Sequence, residues 1–92
     1  MSNTQFKITP ATFNALTLQK KCVITWDNAT FFIERSSYNR YIIRYFALSD
    51  YYIYIRHDLK LGRATDAGAF TFDDDEMDIL LRDINLKASI IT

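Results

Sequence analysis

The stretch FFIERSSYNRYIIRYFALSDYYIYIRH, residues 31–57, decides the fold of this 92-residue chain. Nine of the fourteen aromatic residues lie between Phe31 and Tyr54, and isoleucines and arginines stand among them. Aromatic and β-branched residues at this density favour a pleated, half-buried surface. The stretch therefore predicts an antiparallel β-meander with more aromatic area than one small core can bury.

Polar turns divide this stretch into three strands, and a weaker fourth strand follows. The alternation is cleanest in the third strand, where Ile53 and Ile55 fall on one face and Tyr52 and Tyr54 on the other. The fourth strand is expected to be interrupted at Ala67-Gly68. The predicted strands cover Thr30–Arg35, Arg40–Ala47, Tyr51–His57 and Thr65–Phe72.

Acidic residues precede an apolar pattern at helical spacing towards the end of the sequence. The run 73–76 reads Asp-Asp-Asp-Glu, and Met77, Ile79, Leu80, Leu81 and Ile84 follow it. Negative charge stabilises a helix N-terminus, so this pattern predicts a capped amphipathic helix.

The segment from Leu16 to Trp26 fits two structures. As a helix, it has Thr17 as a good N-cap, and Leu18, Cys22, Val23 and Trp26 form one apolar stripe at helical spacing. As a strand, its residues alternate between two faces, and a turn at Asp27-Asn28 would connect the strand to the meander. The pattern alone leaves both structures open.

These elements predict one α+β domain over residues 1–92. It would have an antiparallel three- to four-stranded β-meander, with an N-terminal and a C-terminal helix packed on one face. The residues expected to pack on the face that carries Ile53 and Ile55 are Leu18, Cys22, Trp26, Ile79, Leu80 and Ile84.

Composition and charge bound the class of protein. The chain has no apolar run of the ~20 residues needed to span a bilayer, and its first ten residues lack a secretory-signal pattern. One cysteine, Cys22, fits a reducing compartment, so we expect a cytoplasmic protein. The net charge of zero hides a segregation: residues 30–65 carry +3 and residues 66–92 carry −5. Such asymmetry either steers a partner or simply lies on solvated surfaces.

No constellation of residues predicts catalysis or a cofactor. His57 is the only histidine, and Asp58 beside it would point to the opposite face of a strand. Cys22 lies near Lys20 and Lys21, which could lower its pKa, but on a helix it falls on the apolar stripe. The acidic run lacks the spacing and the glycine of a calcium loop. We therefore expect a non-enzymatic protein with no cofactor, no metal and no membrane partner.

The remaining constellation is Arg44, Tyr52, Tyr54 and Arg56. Aromatic residues and arginines on one sheet face are typical of protein–protein interface cores, which predicts a homodimer or a protein partner. The alternative is weak binding of single-stranded nucleic acid, because bases stack on such faces. A purely structural interpretation is also open, in which the tyrosines form cross-strand pairs and the arginines cover them.

The chain also has a capped segment that leads to Trp, a short link to Thr-Phe, and an aromatic strand that begins at Asp. These features lie in Phe13–Lys21, Trp26–Phe32 and Tyr45–Ile53. Through these features, which lie within residues 13–58, the chain resembles a group of small, functionally uncharacterised bacterial proteins. The resemblance implies that Thr17 to about Asn28 is a helix, and it implies no activity or ligand. The chain departs from the group at Ala29, often Gly there, and at Tyr54, often an acid.

Overall fold

The computed structural model describes residues 8–37, 39–71, 73–75 and 77–82 of the chain. Residues 77–82 are helical and form the C-terminal helical segment. None of the helices in these ranges has the length and hydropathy of a membrane span. The other elements are α1 (Pro10–Asn14), α2 (Leu18–Asn28), β1 (Thr30–Ser37), β2 (Tyr41–Leu48), β3 (Tyr51–Asp58) and β4 (Arg63–Phe70).

The four strands form one antiparallel sheet in the order β1-β2-β3-β4, which confirms the predicted α+β class and the meander. The fourth strand is continuous through Ala67 and Gly68, so the predicted interruption is wrong. The small side chains there serve packing. Ala67 and Ala69 face the helices, and Gly68 leaves space for the ring of Tyr54.

The ambiguous segment forms helix α2, as the resemblance implies. The hydroxyl of Thr17 accepts a hydrogen bond from the backbone N–H of Lys20 at 3.3 Å and caps the first turn. Thr25 is fully buried in this helix, and its hydroxyl donates to the carbonyl oxygen of Lys21 at 2.7 Å. That bond satisfies the hydroxyl inside the core, so a polar residue can occupy an inward position.

Both faces of the sheet carry large apolar side chains, and each face has its own helical cover. The front face packs against α1 and α2 through Phe13 and Cys22. The front-face residues of the sheet are Phe46, Leu48, Tyr51, Ile53, Ile55, Ala67 and Ala69. The back face carries Tyr45 and Phe70, with Ile33, Ile43, Tyr52 and Tyr54, and packs against Met77 and Leu80.

The prediction that the N-terminal and C-terminal helices pack on the same face of the sheet is therefore corrected. Leu18 and Cys22 reach the front face, whereas Leu80 of the C-terminal helical segment packs on the back face. Alternation in β2 and β3 places bulky residues on both faces, so a cover on one face alone would leave Tyr45 and Phe70 in water. Trp26 is 58% exposed and is not part of the core. Ile84 lies outside the described residues.

Helices α1 and α2 also close the outer edge of β4 with side-chain hydrogen bonds. The amide group of Asn14 bonds both backbone groups of Ala69: Oδ1 accepts from the N–H at 2.7 Å, and Nδ2 donates to the carbonyl at 3.1 Å. Nζ of Lys21 donates to the carbonyl of Ala67 at 3.0 Å. An exposed strand edge is a template for pairing with other chains, so these bonds protect that edge.

Candidate functional site

Tyr52 and Tyr54 lie on the back face, where internal contacts engage both rings. Tyr52 stacks on Phe70, with ring centroids 5.8 Å apart, and contacts Phe32 edge-on at 5.9 Å. The hydroxyl of Tyr54 donates to Oδ2 of Asp66 at 3.1 Å. Both tyrosines are half-buried in the cluster that includes Met77 and Leu80. Both side chains therefore pack between the sheet and the C-terminal helical segment that covers it.

Arg56 shares the back face and takes part in a cation–π arrangement. Its Cζ lies 5.2 Å from the centre of the Tyr41 ring, and Cζ of Arg40 lies 5.3 Å from the same ring. Nε of Arg56 is buried and makes no hydrogen bond within the described part of the chain. Two guanidinium groups thus stabilise one aromatic ring at the end of the sheet where β3 ends.

Arg44 lies on the opposite side of the sheet from these three residues. It is directly opposite Ile55, a front-face residue, and its Nε donates to Oε1 of Glu34 at 3.0 Å. Directly opposed residues share a face, so Arg44 cannot combine with Tyr54 and Arg56 into one surface. The structure brings three of the four predicted site residues together and separates the fourth.

Burial shifts the pKa values of both His57 and the Cys22 thiol towards their neutral forms. Burial lowers the pKa of His57, the nearby Arg44 lowers it further, and Glu34 opposes them. Burial raises the pKa of the Cys22 thiol, and Lys21 only partly offsets this. A raised pKa keeps the thiol protonated and weakly nucleophilic. Among the described residues, no group of three or more His, Cys, Asp or Glu could hold a metal ion.

A different set of side chains is exposed at the junction of α2 and β1. Trp26 is 58% exposed, Phe31 49% and Phe32 40%, and we call these three residues the junction aromatics. Sequence reasoning assigned Trp26 to the core because it completes a stripe with Leu18 and Cys22. The helical geometry places it about 80° from Leu18, on the side of the stripe towards Val23, and that side is exposed, so the prediction is wrong for both residues.

The junction aromatics are distributed over α2 and both faces of the sheet at β1. Lys21 reaches β4, and Trp26 lies about 140° around the helix from it, on the side of α2 turned away from β4. Phe31 is on the front face, where its ring contacts Phe46 edge-on at 5.7 Å. Phe32 lies on the back face, where its ring contacts Tyr52, and a bulge between Phe31 and Ile33 places Ile33 on the back face as well.

Comparison with protein-family models, with curated proteins and with solved structures gives no match for this chain. The resemblance to the group of bacterial proteins stays a prediction.

Proposed function

We propose that this protein is a non-enzymatic interaction protein that self-associates through the junction aromatics. The observation that carries the proposal is the exposure of Trp26 near the end of a capped helix and of two phenylalanines near the start of the edge strand that follows it. Trp and other aromatic residues dominate the energetics of protein interfaces. The proposal keeps the type of function predicted from the sequence and moves its surface from β3 to the α2–β1 junction.

The exposed area supports this assignment. With ~200 Å² per aromatic side chain, the junction aromatics leave roughly 300 Å² of apolar surface in water. A stable interface buries about 800 Å² per partner, so neighbours must contribute. Val23 is exposed one turn before Trp26 and lines a groove of about 510 Å³ on the outer side of α2.

A second copy of the chain is the partner that this geometry favours. Among the described strands, β1 has a neighbour on one side only, whereas the outer edge of β4 is closed by Asn14 and Lys21. A two-fold dimer brings the same patch of both copies together, so each Trp26 would pack against apolar surface of the other copy. In keeping with the single free Cys22, we propose that this homodimer is cytoplasmic.

The test is the native mass by light scattering after size exclusion, over a range of protein concentrations. The wild type is expected to be a dimer, and the double variant Trp26→Ser/Phe31→Ser a folded monomer. Leu61→Ser is the matched control, because Leu61 is 52% exposed but lies in the β3–β4 turn. Its dimer should persist. A wild type that stays monomeric at every concentration would contradict self-association, and dimerisation of the double variant would contradict the surface.

The contacts of the described arginines and tyrosines of the sheet do not favour nucleic-acid binding as a second candidate. Arg44 pairs with Glu34 on the front face, and Arg40 pairs with Asp58. The ring of Tyr41 carries two guanidinium groups, and the ring of Tyr52 stacks on Phe70. A stacking platform needs aromatic faces that are open to bases.

A further inference from the structure

The turn between β3 and β4 exposes two leucines among cationic residues. We call residues 59–63, with the sequence Leu-Lys-Leu-Gly-Arg, the β3–β4 tip. All five are exposed, and Leu59 and Leu61 are each 52% exposed. The tip is at the opposite end of the sheet from the start of β1, so it is a surface separate from the junction aromatics.

This exposure is built into a well-bonded turn. The carboxylate of Asp58, which is 3% exposed, accepts hydrogen bonds from the backbone N–H groups of Lys60 at 2.9 Å and Leu61 at 3.2 Å. The N–H of Gly62 donates to the carbonyl of Asp58 at 2.8 Å, and the N–H of Leu59 donates to the carbonyl of Arg40 at 2.7 Å. The backbone of the tip is thus fixed before any partner arrives, which lowers the entropy that binding would cost.

The charge around the two leucines is positive. Lys60 and Arg63 belong to the tip. Arg40, in the turn between β1 and β2, donates a hydrogen bond from Nη2 to the Asp58 carboxylate at 3.0 Å. Asp58 is the only carboxylate within these turns, and its charge is buried and matched by Arg40. This surface is complementary to anionic groups next to an apolar phase.

We propose that the β3–β4 tip binds the interface of anionic phospholipid bilayers, with Leu59 and Leu61 at the acyl-chain boundary and Lys60 and Arg63 facing lipid phosphates. With roughly 180 Å² per leucine side chain, the two expose about 190 Å², a small fraction of the ~800 Å² per partner of a stable protein interface. A bilayer needs no such area or matching pocket, since a projecting turn is surrounded by lipid on all sides and attracted by anionic headgroups. The sequence-based expectation of no membrane partner was based on the absence of a spanning segment, which such peripheral binding does not require.

The experiment is vesicle flotation of the full chain, with phosphatidylcholine vesicles and with vesicles that also contain phosphatidylserine. The wild type is expected to float with the anionic vesicles and to be released as salt shortens the Debye length to about 3 Å at 1 M. Leu59→Ser/Leu61→Ser should lower the partition coefficient about tenfold or more, because the apolar surface that enters the bilayer is lost. Lys60→Gln/Arg63→Gln should abolish the preference for anionic vesicles.

Leu81→Ser is the matched control, because Leu81 is 43% exposed but belongs to the C-terminal helical segment, which packs near Phe70. It should bind as the wild type does, and far-UV circular dichroism should show that every variant is folded. Equal binding of neutral and anionic vesicles, no binding of anionic vesicles, or equal losses for Leu81→Ser and the double leucine variant would overturn the proposal. Salt-sensitive binding of soluble polyglutamate that ignores the leucines would also overturn it and assign the tip to an acidic protein partner.

Discussion

Gly68→Ala is expected to destabilise the protein because the space beside Gly68 is filled by the ring of Tyr54. An added Cβ would lie 2.8 Å from Cε2 of Tyr54 and 3.1 Å from its Cζ and Oη. Carbon atoms prefer separations of about 3.5–4.0 Å, so the ring would have to move by roughly 0.7 Å. The ring cannot move freely, since it packs on Phe70 and its hydroxyl is bonded to Asp66.

The expected cost follows from two destabilising contributions and one stabilising contribution. Overpacking of a well-filled site costs about 1–3 kcal/mol, and weakening the Tyr54–Asp66 hydrogen bond adds about 0.5–1.5 kcal/mol. Replacing glycine by alanine within a strand returns about 0.5–1 kcal/mol of backbone entropy. We therefore expect the free energy of unfolding to fall by about 0.5–4 kcal/mol. Urea unfolding followed by far-UV circular dichroism measures this change.

A double-mutant cycle with Tyr54→Leu isolates the cause. In that background the overlap is gone, so Gly68→Ala should be neutral or slightly stabilising. Gly62→Ala is the matched control. Gly62 has φ of +70° and no atom within 4 Å of an added Cβ, so its substitution should cost about 1 kcal/mol in both backgrounds through backbone strain alone. If Gly68→Ala leaves stability unchanged in the wild-type background, or costs the same in both, the packing argument is refuted.

Two further outcomes are expected. Asn14→Ala removes both side-chain hydrogen bonds to Ala69 and should lower the free energy of unfolding by about 1–2 kcal/mol. Hydrogen exchange at the backbone amide of Ala69 should become faster. An unchanged exchange rate would show that Asn14 does not protect the edge of β4. The Arg40 hydrogen bond, with help from the N–H groups of Leu61 and Lys60, lowers the pKa of Asp58 against the opposing effect of burial. The folded-state pKa is thus below the unfolded value of about 3.9, so this stabilisation is complete above about pH 4 and is lost as the pH falls through the folded pKa. The urea midpoint of Arg40→Leu should depend less on pH in that acidic range than the wild-type midpoint, and equal slopes would contradict the assignment.

The strands were predictable because their signals are local. Alternation in residues 41–57 reflects the two faces of β2 and β3, and the observed strands start or end within one residue of the predicted limits. Helix α2 was not settled by local pattern, since its sequence also alternates. The burial of Thr25 and the exposure of Trp26 are decided by contact with the sheet, which the sequence of the helix does not contain.

The candidate surface was less predictable because strand register, as well as alternation, decides which side chains share one face of the sheet. The turn at Ser49-Asp50 sets Arg44 opposite Ile55, and a shift of one residue would have placed it opposite Tyr54. The cover of the back face depends on Met77 and Leu80, whose pattern predicts a helix without indicating which face it binds. The exposure of the tyrosines therefore could not be read from β3 alone.

The bonds between Asn14 and Ala69 join residues 55 positions apart in the chain, and this separation has a consequence during translation. At about 5–20 residues per second, a ribosome needs roughly 3–11 seconds after making α1 before its β4 partner has been synthesised. Neighbouring strands of the meander can pair as they emerge, whereas Phe13, fully buried in the finished fold, has no β4 beside it until the fourth strand arrives. The nascent chain thus leaves the ring of Phe13 without its β4 contacts for seconds, and this is the interval in which a chaperone could cover it.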